Sequence, residues 1–368
     1  MMKLGKWSST KFDGGDIPSI AGISGGETSG MMAALLDWRT VLAFENTGRE
    51  SNRTYEYLGE LADGLQREIV WMEYRPPRKK GDRPCKSRFQ VVSPDRADRT
   101  GAPFEMLMEA LNAFRAAKGK GPIAPWWKSR ICTTYMKTRT ARNYVIARGW
   151  TTWNEFVGLR ADEPDRVRKL RVGVPKRIGR YAPLFDAGIT KEDVREFWDA
   201  QSFKLGLDPI MGNCTGCFLK DQADLSRALA QPETDAEWWA KQESRWPGWG
   251  GQNFAGYRRL ASEAEPRLAI ERALRAGETP VSDGGIPDAR RFHLVVIQEK
   301  KRLARQVMPF SCGCEGSQAM AELDPDEEDD FILGLPSEDV GPPEEAEPAP
   351  PSSGEIDFYG YDDEAEAS

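Results

Sequence analysis

The sequence predicts an α/β fold: a doubly wound, mostly parallel sheet in α/β/α layers, with a helical C-terminal region and a disordered acidic tail. Three observations lead there. Short apolar runs alternate with amphipathic segments near the start of the chain, the pattern of a parallel sheet covered on both faces. Two of these runs end in small polar residues, ISGGETSG (23–30) and ENTGRES (45–51), where such sheets bind ligands. The last 48 residues contain 18 Asp or Glu and no Lys or Arg, with abundant Pro and Ser and little periodicity.

The elements follow in order. A strand over about 18–24 leads through the glycines into a helix over about 28–38. A second strand, 40–46, precedes a helix over 51–65, and a third strand covers 68–74. Residues 75–100, with the run RPPRKKGDRPCKSR, read as a basic excursion from the sheet. Helical periodicity returns at about 103–117 and 133–148, and 153–159 reads as another strand. Thr190 and Asp193 are spaced as a capping box that opens a further helix. The organisation expected is a flexible N-terminus (1–15), a nucleotide-binding α/β domain (16–220), a helical region (221–320) and the acidic tail (321–368).

No apolar run approaches the ~20 residues of a membrane span, and the N-terminus lacks the apolar middle of a secretory signal. A cytoplasmic protein with no membrane partner is expected. The net charge of −7 hides an asymmetry, because without the tail the body holds 51 basic and 40 acidic residues, a charge of +11. That suits an anionic partner, nucleotide or nucleic acid. The one histidine, His293, lies in the apolar stretch RRFHLVVIQ and reads as structural, so chemistry falls to cysteine, carboxylates, a metal or positioned cations. The pairs Trp126/Trp127, Trp238/Trp239 and Trp246/Trp249 suit helical packing better than base stacking.

ISGGETSG is a strand–loop–helix junction whose glycines let a ligand approach the backbone, and an anion fits the helix start best. It lacks the lysine of GxxxxGK[ST] and does not match GxGxxG. Arg160 follows a later strand and can grip an anion with its planar fork, or pair with Asp162 or Glu163. Six cysteines in a reducing compartment suggest metal or reactivity. Cys214-x-x-Cys217, Cys312-x-Cys314 and Cys132 at a helix opening suggest a metal centre of nearly all-sulfur ligation, an iron–sulfur cluster or zinc. Cys85 has no partner nearby in sequence.

Taken in order, SGGETS, AFENTGRESNRTYEYL, RICTTYMKTRTARNY, VGLRADEPDR, PLFDAGITKEDVREFW and GNCTGCFLK resemble the phosphoadenosine phosphosulfate reductase family. That family belongs to the Rossmann-like PP-loop superfamily, adenine nucleotide alpha hydrolase-like, and the likeness is greatest to its phage and prophage branch. The resemblance implies that Ser24, Gly25, Gly26, Thr28 and Ser29 hold the phosphate or phosphosulfate groups of an adenine nucleotide, ATP or phosphoadenosine phosphosulfate. It implies that Asn46, Thr47 and Gly48 line the nucleotide pocket and that Arg160 lies near the anion. Two departures stand out. Thr28 replaces an Asp found in many relatives, and the Glu-Cys-Gly of the reductases is absent, Cys312-Gly-Cys314-Glu being the nearest stretch. The expectation is a transferase or oxidoreductase of sulfur chemistry: nucleotide-dependent sulfur transfer to a nucleic acid or small molecule, or a related reaction. The alternatives are phosphoadenosine phosphosulfate reduction proper and a non-catalytic nucleotide- or nucleic-acid-binding protein.

Overall fold

The computed structural model describes residues 2–83, 87–125, 130–212, 214–246, 256–282, 284–286 and 288–307. Six strands, β1 (Ser19–Gly22), β2 (Val41–Asn46), β3 (Ile69–Arg75), β4 (Arg88–Val92), β5 (Trp153–Phe156) and β6 (Ile178–Tyr181), form one sheet. Their order is β4-β3-β2-β1-β5-β6, parallel throughout except for β4, which runs antiparallel along β3. Helices α1 (Glu27–Leu35), α2 (Asn52–Leu65), α3 (Ala102–Ala117), α4 (Thr140–Ala147), α5 (Pro164–Leu170), α6 (Pro183–Asp186) and α7 (Lys191–Asp199) accompany the sheet. A C-terminal group follows: α8 (Gln222–Leu229), α9 (Ala236–Arg245), α10 (Tyr257–Ser262), α11 (Ala264–Arg275) and α12 (Ala289–Val307).

The period of two in the strands feeds two cores. Leu42, Phe44 and Trp71 face one side of the sheet with Ala21 and Phe156, packed under α1, α2 and α7. Ala43 and Met72 face the other side with Ile20, Trp153 and Ile178, covered by Tyr144 and Val145 of α4. Both faces are therefore dry, which is why the strands read as continuous apolar runs. A third core joins α3 to the C-terminal helices through Phe104, Leu107, Leu111, Leu225, Trp239 and Tyr257. The capping box expected at the start of α7 is present, with the Thr190 hydroxyl and Asp193 carboxylate each capping the other's backbone.

Several expectations need correction. The basic excursion returns to the sheet as β4, an edge strand with Gln90 and Val91 exposed, so no alternating apolar face marked it. The four-residue β6 was also missed, since Gly179 and Arg180 dilute its apolar signal. The helix expected over 133–148 divides into a π-helix, Cys132–Arg139, and α4. Residues 2–15 are not loose where they are described. Trp7 is buried edge-on against Phe197, and Phe12 exchanges backbone hydrogen bonds with Leu35 and Asp37. His293 is exposed on α12 rather than buried. The acidic tail lies outside the described residues. Among the described residues no helix is long and apolar enough to cross a membrane.

Two glycines bring α1 close to its neighbours. A Cβ on Gly30 would lie 2.2 Å from the Tyr57 hydroxyl and 2.8 Å from the Trp198 ring, and one on Gly158 would lie 3.1 Å from the Ser29 backbone. Gly30→Ala should destabilise the protein by about 1–3 kcal/mol, the usual cost of overpacking a rigid aromatic contact. Chemical denaturation checks this; an unchanged midpoint would mean that α1 packs less tightly than its neighbours imply.

Candidate functional site

The crossover from β1 runs to β2, whereas β5 lies on the opposite flank of β1. The loops after β1 and β5 therefore diverge at the carboxyl end of the sheet, at the point where the strand order reverses. ISGGETSG occupies that point. Gly25 has φ +75°, and a Cβ there would meet Thr54 of α2 at 2.3 Å, so this glycine is needed for both conformation and space. Gly26 differs. Its backbone is extended, and a Cβ would meet only Ser24 Oγ at 3.5 Å, so it keeps room open in front of the loop.

Ser24 and Ser29 brace the turn. Ser24 N–H donates to Ser29 Oγ at 3.2 Å, and Ser29 Oγ donates to the Gly26 carbonyl at 2.9 Å. No side chain caps α1 at Gly26, leaving its first N–H groups without a capping oxygen. Ser24 is exposed, whereas Gly26 and Thr28 are half-buried. Arg160 reaches this cluster from the β5 loop and donates from Nη1 to Thr28 Oγ1 at 3.1 Å. Its planar fork, however, is held by Asp162, with Nε and Nη2 each 3.0 Å from a carboxylate oxygen, and Glu163 adds a contact at 3.4 Å. Of the two expected roles, the ion pair is formed.

ENTGRES does something different from what was expected. Asn46, Thr47 and Gly48 are buried. The Asn46 amide donates to Glu73 (2.9 Å) and the Asp98 carbonyl (2.8 Å), and its oxygen accepts from Gly48 N–H and Tyr55 hydroxyl (both 3.0 Å). All four hydrogen bonds available to that side chain are made. Gly48 has φ +76° and would place a Cβ 2.2 Å from Asp98, so only glycine fits. Thr47 Oγ1 donates to Glu50 at 2.7 Å and lies 3.3 Å from Cys214 Sγ. The Glu50 carboxylate also accepts from Thr47 N–H and Arg49 N–H, and the Tyr55 hydroxyl lies 3.2 Å away.

The CxxC turn docks on this buried loop. Glu50 and Cys214 form a β-bridge, Thr215 N–H donates to the Arg49 carbonyl at 2.8 Å, and Cys214 Sγ lies 3.9 Å from Glu50. From the other side Tyr257 donates to the Gly216 carbonyl, and Trp239 packs so closely that a Cβ on Gly216 would lie 2.4 Å from it. Trp238 takes the Arg49 guanidinium 4.4 Å from its ring centre. The tryptophans of α9 thus serve packing, as expected.

Cys132, at the start of the π-helix, belongs electrostatically to the same cluster. Burial pushes its thiol pKa up and Cys217 adds to the rise, against the pull of Arg130 and Lys137. Cys214 is pushed up to about 12, by burial first and Glu50 second, with Lys137 and the Thr47 hydrogen bond opposing. Burial works against the Lys137 ammonium, but Cys214, Glu50, Glu45 and Cys132 outweigh it and hold its pKa above the ordinary lysine value. The thiols are half-buried: they line the site while touching water. Glu50 and Lys137 went unremarked in the sequence. Glu50 lies four residues after the expected Asn46, while the π-helix that positions Lys137 has no periodicity to reveal it.

The expected metal centre is only partly assembled. Cys132, Cys214 and Cys217 come together, but among the described residues no three His, Cys, Asp or Glu side chains are arranged to hold an ion. Cys312, Cys314 and Cys85 lie outside the described residues.

Fold and loops define an α/β protein of mostly parallel sheet with an open glycine loop at its switch point and a thiol cluster beside it. No family model matches the chain. It is similar to the "Uncharacterized nin region protein ORF290" of Escherichia phage lambda, with 27% identity over 229 residues, 58% of this chain and 70% of that protein.

Beneath the thiols, burial pushes the Glu45 carboxyl up to about 7, against the pull of Lys137. Native Glu45 keeps its proton between about pH 4.5 and 7, where the unfolded chain has released it, so this group's contribution to stability falls as pH rises through that window. Glu45→Gln should therefore gain on the parent protein as pH rises, by at most about 3 kcal/mol. Urea unfolding at pH values spanning that window measures the gap; a gap independent of pH would contradict the assignment.

Proposed function

We propose that the chain binds an adenine nucleotide, ATP or phosphoadenosine phosphosulfate, in the crevice between the β1 and β5 loops, and that it uses the nucleotide in sulfur transfer or a related reaction. The observation that carries this reading is the uncapped start of α1 behind a glycine loop at the sheet's switch point. Phosphate oxygens there would accept from the first N–H groups of α1, with the helix dipole favouring their charge. Arg160 acts on Thr28 as a positioning residue. The ordered motifs resembling the phosphoadenosine phosphosulfate reductase family support the same ligand.

The thiol cluster supports sulfur chemistry beside that crevice. Gly25 of the glycine loop packs against Thr54 of α2, the helix that follows the loop on which the CxxC turn docks. The Cys214 thiol is neutral at pH 7, and its proton has a route through the Thr47 hydroxyl to Glu50. That neutrality also favours the second reading, a nucleotide-binding protein without catalysis. Release of pyrophosphate from ATP, or of sulfite from phosphoadenosine phosphosulfate, separates the two.

Gly26→Val should fold normally and lose nucleotide binding by at least tenfold, because its methyls occupy the open space before the loop. Arg160→Lys should weaken binding less, since a point charge cannot hold Asp162 and Thr28 together. Calorimetry with each nucleotide measures both; full affinity in a folded Gly26→Val would remove the phosphate assignment.

We also propose that Cys132, Cys214 and Cys217 hold an iron–sulfur cluster or zinc, with Cys312 or Cys314 as the fourth thiolate. Such a centre would bind metal by all-sulfur ligation, and no step above runs through it. Anaerobically purified protein should contain stoichiometric iron with sulfide, or zinc, and Cys217→Ser should lose most of it. Metal content unchanged in that variant would defeat the assignment.

A further inference from the structure

A second concavity lies away from the glycine loop. It has a volume of about 690 Å³ and is formed by the β3–β4 loop, one side of α3 and the end of α9. The size falls within the range of about 300–1,000 Å³ usual for sites that enclose organic ligands. The loop runs alongside α3. Arg75 reaches Met106 at one end, and Gly81 approaches Ala117 at the other.

Three features of the lining point to one chemistry. Arg78, Lys79 and Lys80 are consecutive and exposed, and they form no ion pair with a carboxylate among the described residues. Neighbouring cations on one strap repel one another, so they gain from an anion of several charges spaced along a chain. Opposite them, Arg245 lies with its guanidinium 4.9 Å from the Trp246 ring centre, forming a flat cationic aromatic surface on which bases stack. Arg245 also pairs with Glu109 at 2.7 Å, which fixes its position on the α3 wall. Ala110 and Ala113 keep that wall low, leaving width for a flat ring.

We propose that this groove binds single-stranded nucleic acid, with phosphates on Arg78, Lys79 and Lys80 and a base against Arg245 and Trp246. Two flexible lysines and an arginine on a loop track a backbone and read no base sequence, so binding is expected to be sequence-tolerant. The groove begins where β3 ends, at the same end of the sheet as the thiol cluster. As the surface for an acceptor strand it rests on the sulfur-transfer reading; as a binding site it stands on its own residues.

The test uses the full chain and labelled 20-nucleotide oligo-dT and oligo-U, followed by fluorescence anisotropy over a range of salt. Both should bind, and the stronger identifies DNA or RNA as the preferred strand. The variant Arg78→Ala/Lys79→Ala/Lys80→Ala should bind at least tenfold more weakly and lower the salt slope by about two, near the ~0.7 expected per phosphate contact on a single strand. Trp246→Phe should weaken binding by a smaller factor while leaving the salt slope unchanged, because stacking carries no counterion release. Unchanged affinity and slope in the triple variant would overturn the proposal, as would equal binding of a duplex of the same length or of polyglutamate. Calorimetry of the triple variant with ATP and phosphoadenosine phosphosulfate keeps the two readings apart. Intact nucleotide binding with lost strand binding is the expected pattern, and a parent protein that binds the strand but neither nucleotide would count against the crevice and not the groove.

Discussion

The site depends on two buried polar side chains at the end of β2. Asn46 satisfies its whole amide internally, tying β2 to Glu73 of β3, to the segment before α3 and to Tyr55 of α2. Glu50 gathers the backbone N–H groups of Thr47 and Arg49 and the hydroxyl of Thr47. A buried carboxylate is expensive unless its lone pairs are used, and here three donors supply them. Removing either side chain would leave several polar groups unpaired at once, so the loop has one stable shape. The CxxC turn docks on that shape.

The C-terminal helices are the other half of the same arrangement. Trp239 and Tyr257 stack at 5.8 Å and press on Gly216, while α8 and α12 are joined by a buried set of ion pairs. Arg267 and Glu299, both with no solvent exposure, lie 3.1 Å apart within that set. Such a pair adds little net stability, but breaking it would strand a buried charge, which restricts how α11 and α12 can pack. The helical region thus acts as a clamp holding the thiol-bearing turn against the sheet.

The two halves have different electrostatic characters. At the glycine loop the first N–H groups of α1 have no side-chain cap, and Arg160 behind them is paired with Asp162 and Glu163. At the thiols, Glu50 and burial favour neutral sulfur, with Lys137 as the opposing cation.

The sequence by itself determined the layered α/β fold, its first three strands, the glycine loop at a strand's end and the capping box at Thr190. These are local: period, glycine placement and capping need only neighbouring residues. It also brought Cys132, Cys214 and Cys217 under one suspicion, though among the described residues no three His, Cys, Asp or Glu side chains are arranged to hold an ion. Only the tertiary structure decided which polar residues are spent on the fold. The resemblance implies that Asn46, Thr47 and Gly48 line a pocket, while their partners in the fold, Asp98, Glu73 and Cys214, lie 27 to 167 residues away. Arg160 read by itself as an ion pair with Asp162 or Glu163 and, through the resemblance, as a neighbour of the anion, and in the fold Asp162 holds its fork. The edge strand β4 and the π-helix were illegible for the same reason. Each owes its conformation to a neighbour distant in sequence, and no local pattern encodes that neighbour.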